Sequence, residues 1–114
     1  MKENDLKERL FRFAIDVLKI LATLKGGKET DVIKYQLSKS STSSGANYEE
    51  SQAATSRADF VNKVSIALKE MRESNYWLRI ISELFPKTIN INSLVLESEE
   101  LGKILATIIL KAKS

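Results

Sequence analysis

Neither cysteine nor histidine occurs anywhere in the 114 residues. Without cysteine there are no disulfides and no thiolate metal sites, which suits a reducing, cytoplasmic setting. Without histidine the commonest general base and the commonest imidazole ligand are missing, so an enzyme built on this chain would have only carboxylate, lysine, tyrosine or serine chemistry. Proline occurs once, at Pro86, and glycine only at positions 26, 27, 45 and 102. Long stretches therefore carry no strong helix breaker, and helix is the reading they invite. Apolar runs are short too. ILATIIL is about a third of the roughly 20 residues that a membrane-spanning helix needs. MKENDLKERLF carries charges through its first nine residues and has no signal-peptide core. A soluble, cytoplasmic chain is expected.

What is present suits a folded domain. Hydrophobic residues make up 43% and charged residues 29%, enough for a modest core without covalent or metal staples, so residues 1–114 are read as a single domain. The net charge of +3 permits an anionic partner, but so small an excess does not demand one.

Periodicity predicts helices over 4–25, 28–55, 57–85 and 93–112. In the first, Leu6, Leu10, Phe13, Ala14, Val17, Leu21 and Leu24 share one face, which Gly26-Gly27 ends. A second apolar row, Phe11, Ile15, Leu18 and Ala22, leaves only Arg12, Asp16, Lys19 and Thr23 as a polar stripe. Such a helix is expected to be buried on more than one side. The third opens on Ser56 with Asp59 three residues on, a shortened capping box. Its seam of Phe60, Val64, Ala67, Met71, Ser74, Leu78, Ile81 and Phe85 is the strongest periodic signal in the chain, interrupted only by Ser74, and Pro86 closes it. In the fourth, Leu94, Leu101, Leu105, Ile108 and Ala112 share a face, with Lys111 and Lys113 beside the negative end of the helix dipole.

The second segment meets a conflict at SKSSTSSGANYEESQAA, residues 38–54. Composition suggests a serine-rich linker. Its neighbours argue otherwise, because a linker would leave a short helix facing a partner of nearly thirty residues across an unusually long connection. Helix here costs about 3 to 4 kcal/mol in propensity relative to alanine. Packing can offset that, since small side chains let backbones approach and Ile33, Leu37, Ser40, Ser44 and Tyr48 keep one face continuous. Helix is the expectation.

The phrases SIALKEMRESNYWL at 65–78 and SSTSSGANYEE upstream resemble the four-helix-bundle family encoded in intervening sequences of bacterial large-subunit ribosomal RNA genes. The resemblance runs from FRFAIDVLKI to ELGKILATIILKAK, nearly the whole chain. The family pattern falls on Ser40, Ser43, Asn47 and Glu50, while Ser44 and Tyr48 stand where aliphatic residues are usual. The resemblance implies an all-α, antiparallel up-down-up-down four-helix bundle, a homopentamer, and no enzymatic activity. A relative, the accessory variability determinant of diversity-generating retroelements, is a basic pentamer that binds reverse transcriptase and nucleic acid. The two apolar rows of the first helix agree independently with burial between subunits.

Two sets of residues are candidate sites. Lys63, Lys69, Arg72 and Arg79 punctuate the third helix beside Tyr76 and Trp77, a pattern suited to phosphate contacts with aromatic platforms. Glu70 and Glu73 interleave with them, so an ordinary solvated face is the plainer reading. Asn47 and Glu50 with Arg72 and Tyr76 suggest a structural polar network that sets register. Lys2, Lys7, Arg9 and Arg12 form a further basic group, diluted by Glu3, Asp5 and Glu8 and best read as surface charge. Glu49 with Glu50, and Glu97 with Glu99 and Glu100, are carboxylate clusters, but the Glu-x-x-His element of di-metal bundles cannot exist here. No glycine-rich phosphate loop occurs, and Ser40 to Ser44 have no evident base. No catalytic, cofactor or metal site and no small-molecule substrate are therefore expected. The expected function is an oligomeric interaction module that engages RNA, DNA or a nucleic-acid enzyme such as a reverse transcriptase. The alternative is a structural or protein-interaction module with no nucleic-acid role.

Overall fold

The computed structural model describes residues 3–114. Its helices are α1 (Glu3–Leu21), α2 (Lys28–Ser51), α3 (Arg57–Leu84) and α4 (Ile91–Lys113), with no strand among the described residues. They pack as a four-helix bundle 44 Å long around one hydrophobic core. Each helix touches the next in sequence, α1 and α4 close the ring, and α2 with α3 make the most extensive contact.

Helix ends follow local chemistry. α1 stops at Leu21, four residues before the expected end, because the chain tightens into three-residue turns. Thr23 and Leu24 donate their N–H groups to the carbonyls of Ile20 and Leu21. Lys34 Nζ then satisfies the Leu24 carbonyl at 2.7 Å, so the end of α1 is capped by a side chain of α2. α2 likewise ends at Ser51 rather than 55, where Gln52, Ala53 and Ala54 make the same tight turns onto Glu49, Glu50 and Ser51. The serine-rich stretch is therefore helical to Ser51 and turn beyond it. Ser56 caps α3, accepting the Asp59 N–H at 3.0 Å, and the Asp59 carboxylate reaches back to the N–H of Thr55. α4 starts two residues early. Asn90 takes the left-handed conformation, φ 68°, that Asn tolerates, and Ile91 turns into the core.

The anticipated faces are mostly the buried ones. All of the first α1 row except half-buried Ala14 is buried, and so is the whole α3 seam from Val64 to Ile81. The second α1 row is not buried within the chain, where Phe11 is 49% and Leu18 38% exposed. One polypeptide leaves that row uncovered.

Small residues of α2 set how closely it meets its neighbours. Ser40 and Ser44 are fully buried against α3. Ser40 Oγ lies 2.8 Å from Ser74 Oγ, Ser74 in turn donates to the Glu70 carbonyl at 3.0 Å, and Ser44 donates to the Ala67 carbonyl at 2.8 Å. The interruption in the α3 seam is thus the partner of a serine on α2. A side chain reaching a carbonyl inside the neighbouring helix requires a short interaxial distance, which a row of leucines would prevent. On its other side α2 presents Gly45, where an added Cβ would stand 3.4 Å from Leu10 Cβ and 3.6 Å from the Leu10 backbone. Tyr48, 1% exposed, fills the space one turn on. α1 and α4 share the least contact, and a two-pronged ion pair bridges them, Arg9 Nε and Nη2 to the Glu97 carboxylate at 3.0 and 2.6 Å. The hydrogen bond to Glu97 holds the Arg9 pKa above the ordinary arginine value.

The serine pair predicts a specific non-additivity. Ser74→Ala removes the short-range partner of Ser40 and leaves it only the Leu37 carbonyl at 3.4 Å, at a cost of about 1 to 2 kcal/mol. Ser40→Ala should cost less, because Ser74 keeps its Glu70 bond. The double variant should lose much less than the sum of the single losses, since both partners leave together. Urea unfolding at one protein concentration measures all four forms, and strict additivity would refute the pairing.

Candidate functional site

A polar groove lies between α3 and α4. Arg72, Asn75 and Arg79 line it from α3, and Ser98, Glu99, Gly102, Lys103 and Ala106 from α4, around about 420 Å³. Its floor is held by a hydrogen-bonded chain. Ser98 Oγ donates to the Val95 carbonyl at 2.7 Å and accepts from Asn75 Nδ2 at 2.9 Å, while Asn75 Oδ1 accepts from Arg79 Nε at 2.9 Å. Arg79 is thereby fixed at one edge, and its guanidinium lies 5.7 Å from the centre of the half-exposed Tyr76 ring. Tyr76 meets Trp77 edge-on at 5.1 Å. Two arginines and a lysine face the groove against one carboxylate, Glu99. An oriented guanidinium backed by an aromatic face suits a phosphate or carboxylate oxygen.

Of the cations expected to act together, only Arg72 and Arg79 share this groove. Lys69 is exposed and lies outside the lining. Lys63, nine residues from Arg72, falls on the opposite side of α3, roughly 180° away at 3.6 residues per turn. The expected network of Asn47, Glu50, Arg72 and Tyr76 is not formed. Asn47 donates to the carbonyl and hydroxyl of Ser43 on its own helix, and Glu50, Arg72 and Tyr76 are exposed. Register explains why. With Ser44 level with Ala67, Asn47 lies near the level of Val64, roughly 12 Å along the axis from Arg72 at about 1.5 Å per residue. Polar bonding between these helices runs through the serines instead.

The second basic group also disperses. Lys2 lies outside the described residues, Lys7 and Arg12 are exposed, and Arg9 is committed to Glu97. Lys111 and Lys113 occupy the last turn of α4. Among the described residues no group of three or more acidic side chains is placed to hold a metal ion, and no helix is long and apolar enough to cross a membrane.

A family model described as 23S rRNA-intervening sequence protein matches residues 2–107. Among solved structures, the chain is similar to a Bacteroides thetaiotaomicron protein of the S23 ribosomal protein family. The two are 36% identical, and the match covers 91% of this chain and 97% of that one with a TM-score of 0.81. Among curated proteins none matches.

Sequence reasoning missed the α4 half of the groove and its anchor, Asn75. The available signal was the spacing Ser98, Gly102, Ala106, one small residue per turn, with Lys103 beside it. Gly102 is not demanded by packing, since an added Cβ would meet nothing within 4 Å. Gly102→Ala should therefore stabilise the fold by about 0.5 to 1 kcal/mol through helix propensity, visible as a rise of a few degrees in the thermal midpoint. A fall would mean that the position is closed by contacts.

Proposed function

The chain belongs to the 23S rRNA-intervening sequence protein family, and from that premise we propose that it is a non-enzymatic, oligomeric interaction module whose α3–α4 groove engages nucleic-acid phosphate. One observation carries the reading: Arg72, Arg79 and Lys103 converge on one groove, with Arg79 held between Asn75 and the Tyr76 ring. Phosphate oxygens match that donor geometry, and Tyr76 offers a face on which an unpaired base can stack. The family description names 23S rRNA, which supports a nucleic-acid setting in the cytoplasm. A reverse transcriptase is a further candidate partner, through the nucleic acid it holds.

The bundle is taken as antiparallel, up-down-up-down. Support comes from pairings that run in opposite order along neighbouring helices: Ser40 with Ser74 and then Ser44 with Ala67, Asn75 with Ser98 and then Ser82 with Asn92. The whole chain is read as one domain. Assembly, as a homopentamer, uses the uncovered α1 row, where Phe11 and Leu18 lie outermost beside Ile15 and Ala22. A row of that kind is more stable against another copy than in water.

A protein-interaction role without nucleic acid is the second reading. Glu99 inside the groove favours it, as do Glu70 and Glu73 among the cations of α3, because they weaken the local positive field.

Titration of labelled single-stranded RNA and DNA at low and moderate salt separates the two. Binding tighter than roughly 100 μM at low salt, weakened by Arg72→Ala/Arg79→Ala with a salt slope smaller by about two, is expected. Absence of binding, with a protein partner retained after nuclease treatment, would establish the second reading. Light scattering tests assembly: an oligomer at micromolar concentration is expected, dissociated by Phe11→Glu/Leu18→Glu, and a monomeric parent would overturn it.

A further inference from the structure

We propose that the cleft at the bundle end between α1 and the α3–α4 connection docks an acidic, amphipathic peptide segment of a partner protein. The cleft is open to solvent and spans about 730 Å³, and its apolar lining comes from Ile20, Leu24, Phe85, Pro86 and Ile89. That volume falls within the usual range for ligand pockets, roughly 300 to 1,000 Å³. The charged residues of the lining are Lys19, Lys25 and Lys87, and no carboxylate stands among them. Ile89 is 79% exposed, the most exposed large apolar side chain among the described residues, although Ile91 two residues on is buried.

The walls are built rather than loose. Lys34 ties down the Leu24 carbonyl, Thr88 donates its N–H to Phe85 at 3.0 Å, and Asn90 turns the chain between Ile89 and Ile91. Apolar walls surrounded by ammonium groups complement a short helix with leucine-like anchors at i, i+3, i+4 and i+7 and carboxylates beside them. Nucleic acid would leave the apolar walls without a partner. The cleft shares no residue with the α3–α4 groove, so the proposal stands apart from the nucleic-acid reading.

The test uses the full chain and two fluorescein-labelled synthetic peptides, one with leucine at those four positions and glutamate elsewhere, the other with lysine replacing glutamate. The acidic peptide should bind with a micromolar Kd, the basic one at least tenfold more weakly, and amide shifts should cluster at 19–25 and 85–90. Lys19→Glu/Lys25→Glu/Lys87→Glu should raise the Kd at least tenfold, and Arg72→Ala/Arg79→Ala should leave it unchanged. Ile89→Ser, at an exposed position, keeps the test open if the triple variant does not fold, and should also weaken binding. Equal binding of both peptides, an unchanged Kd after charge reversal, shifts located elsewhere, or attachment only to phosphatidylglycerol vesicles would each overturn the proposal.

Discussion

The close approach of α2 to α3 is the constraint on which the other packing depends. Ser40 and Ser44 reach across to Ser74 and the Ala67 carbonyl, and neither bond survives an increase of even 1 Å in the spacing between the two helices. With the pair locked, the α3 seam from Val64 to Ile81 faces the core along its whole length, and α4 is placed by its own contact with α3. A core of leucines alone would tolerate sliding, because dispersion is not directional. Buried hydroxyls do not tolerate it, since a slipped helix strands a donor away from water. The serines thus contribute register more than net stability.

The same logic explains the contrast between the two sides of α1. Against α2 the backbones come close because Gly45 leaves room beside Leu10. Against α4 contact is least extensive, and Arg9 with Glu97 spans the space. With both side chains about a third exposed, that pair contributes at most about 1 kcal/mol. α1 is consequently the helix held most loosely by its own chain, and it also carries the uncovered row of Phe11 and Leu18.

Much of the fold was legible in the residues. The Val64 to Ile81 seam, the α1 row and the Ser56 cap can be read directly, because period and capping chemistry are local properties. Even the serine-rich stretch could be assigned to helix, by weighing a propensity cost against the length of its neighbour. Helix ends were less legible. The last turns of α1 and α2 tighten through carbonyls that three-residue bonds satisfy as well as four-residue ones. The candidate groove was half legible: Arg72 and Arg79 announce themselves on one helix, whereas Ser98, Gly102 and Lys103 acquire meaning only once α4 lies beside them. The Asn47 and Glu50 network was misread because residue type indicates a capacity for polar contact and not the level at which a facing helix will meet it.

By itself, the sequence determined the chemistry open to this protein and the number and faces of its helices. Lacking cysteine and histidine, it rules out thiolate and imidazole sites, and its apolar periods mark which sides turn inward. Only tertiary structure decided which polar residues meet. Ser74 pairs with Ser40, Arg79 leans on Asn75 and Tyr76, and Lys63 turns away from Arg72. Helical period is set within a few residues of chain, but register and interaxial distance come from side-chain volumes on two helices at once, so no single segment contains them.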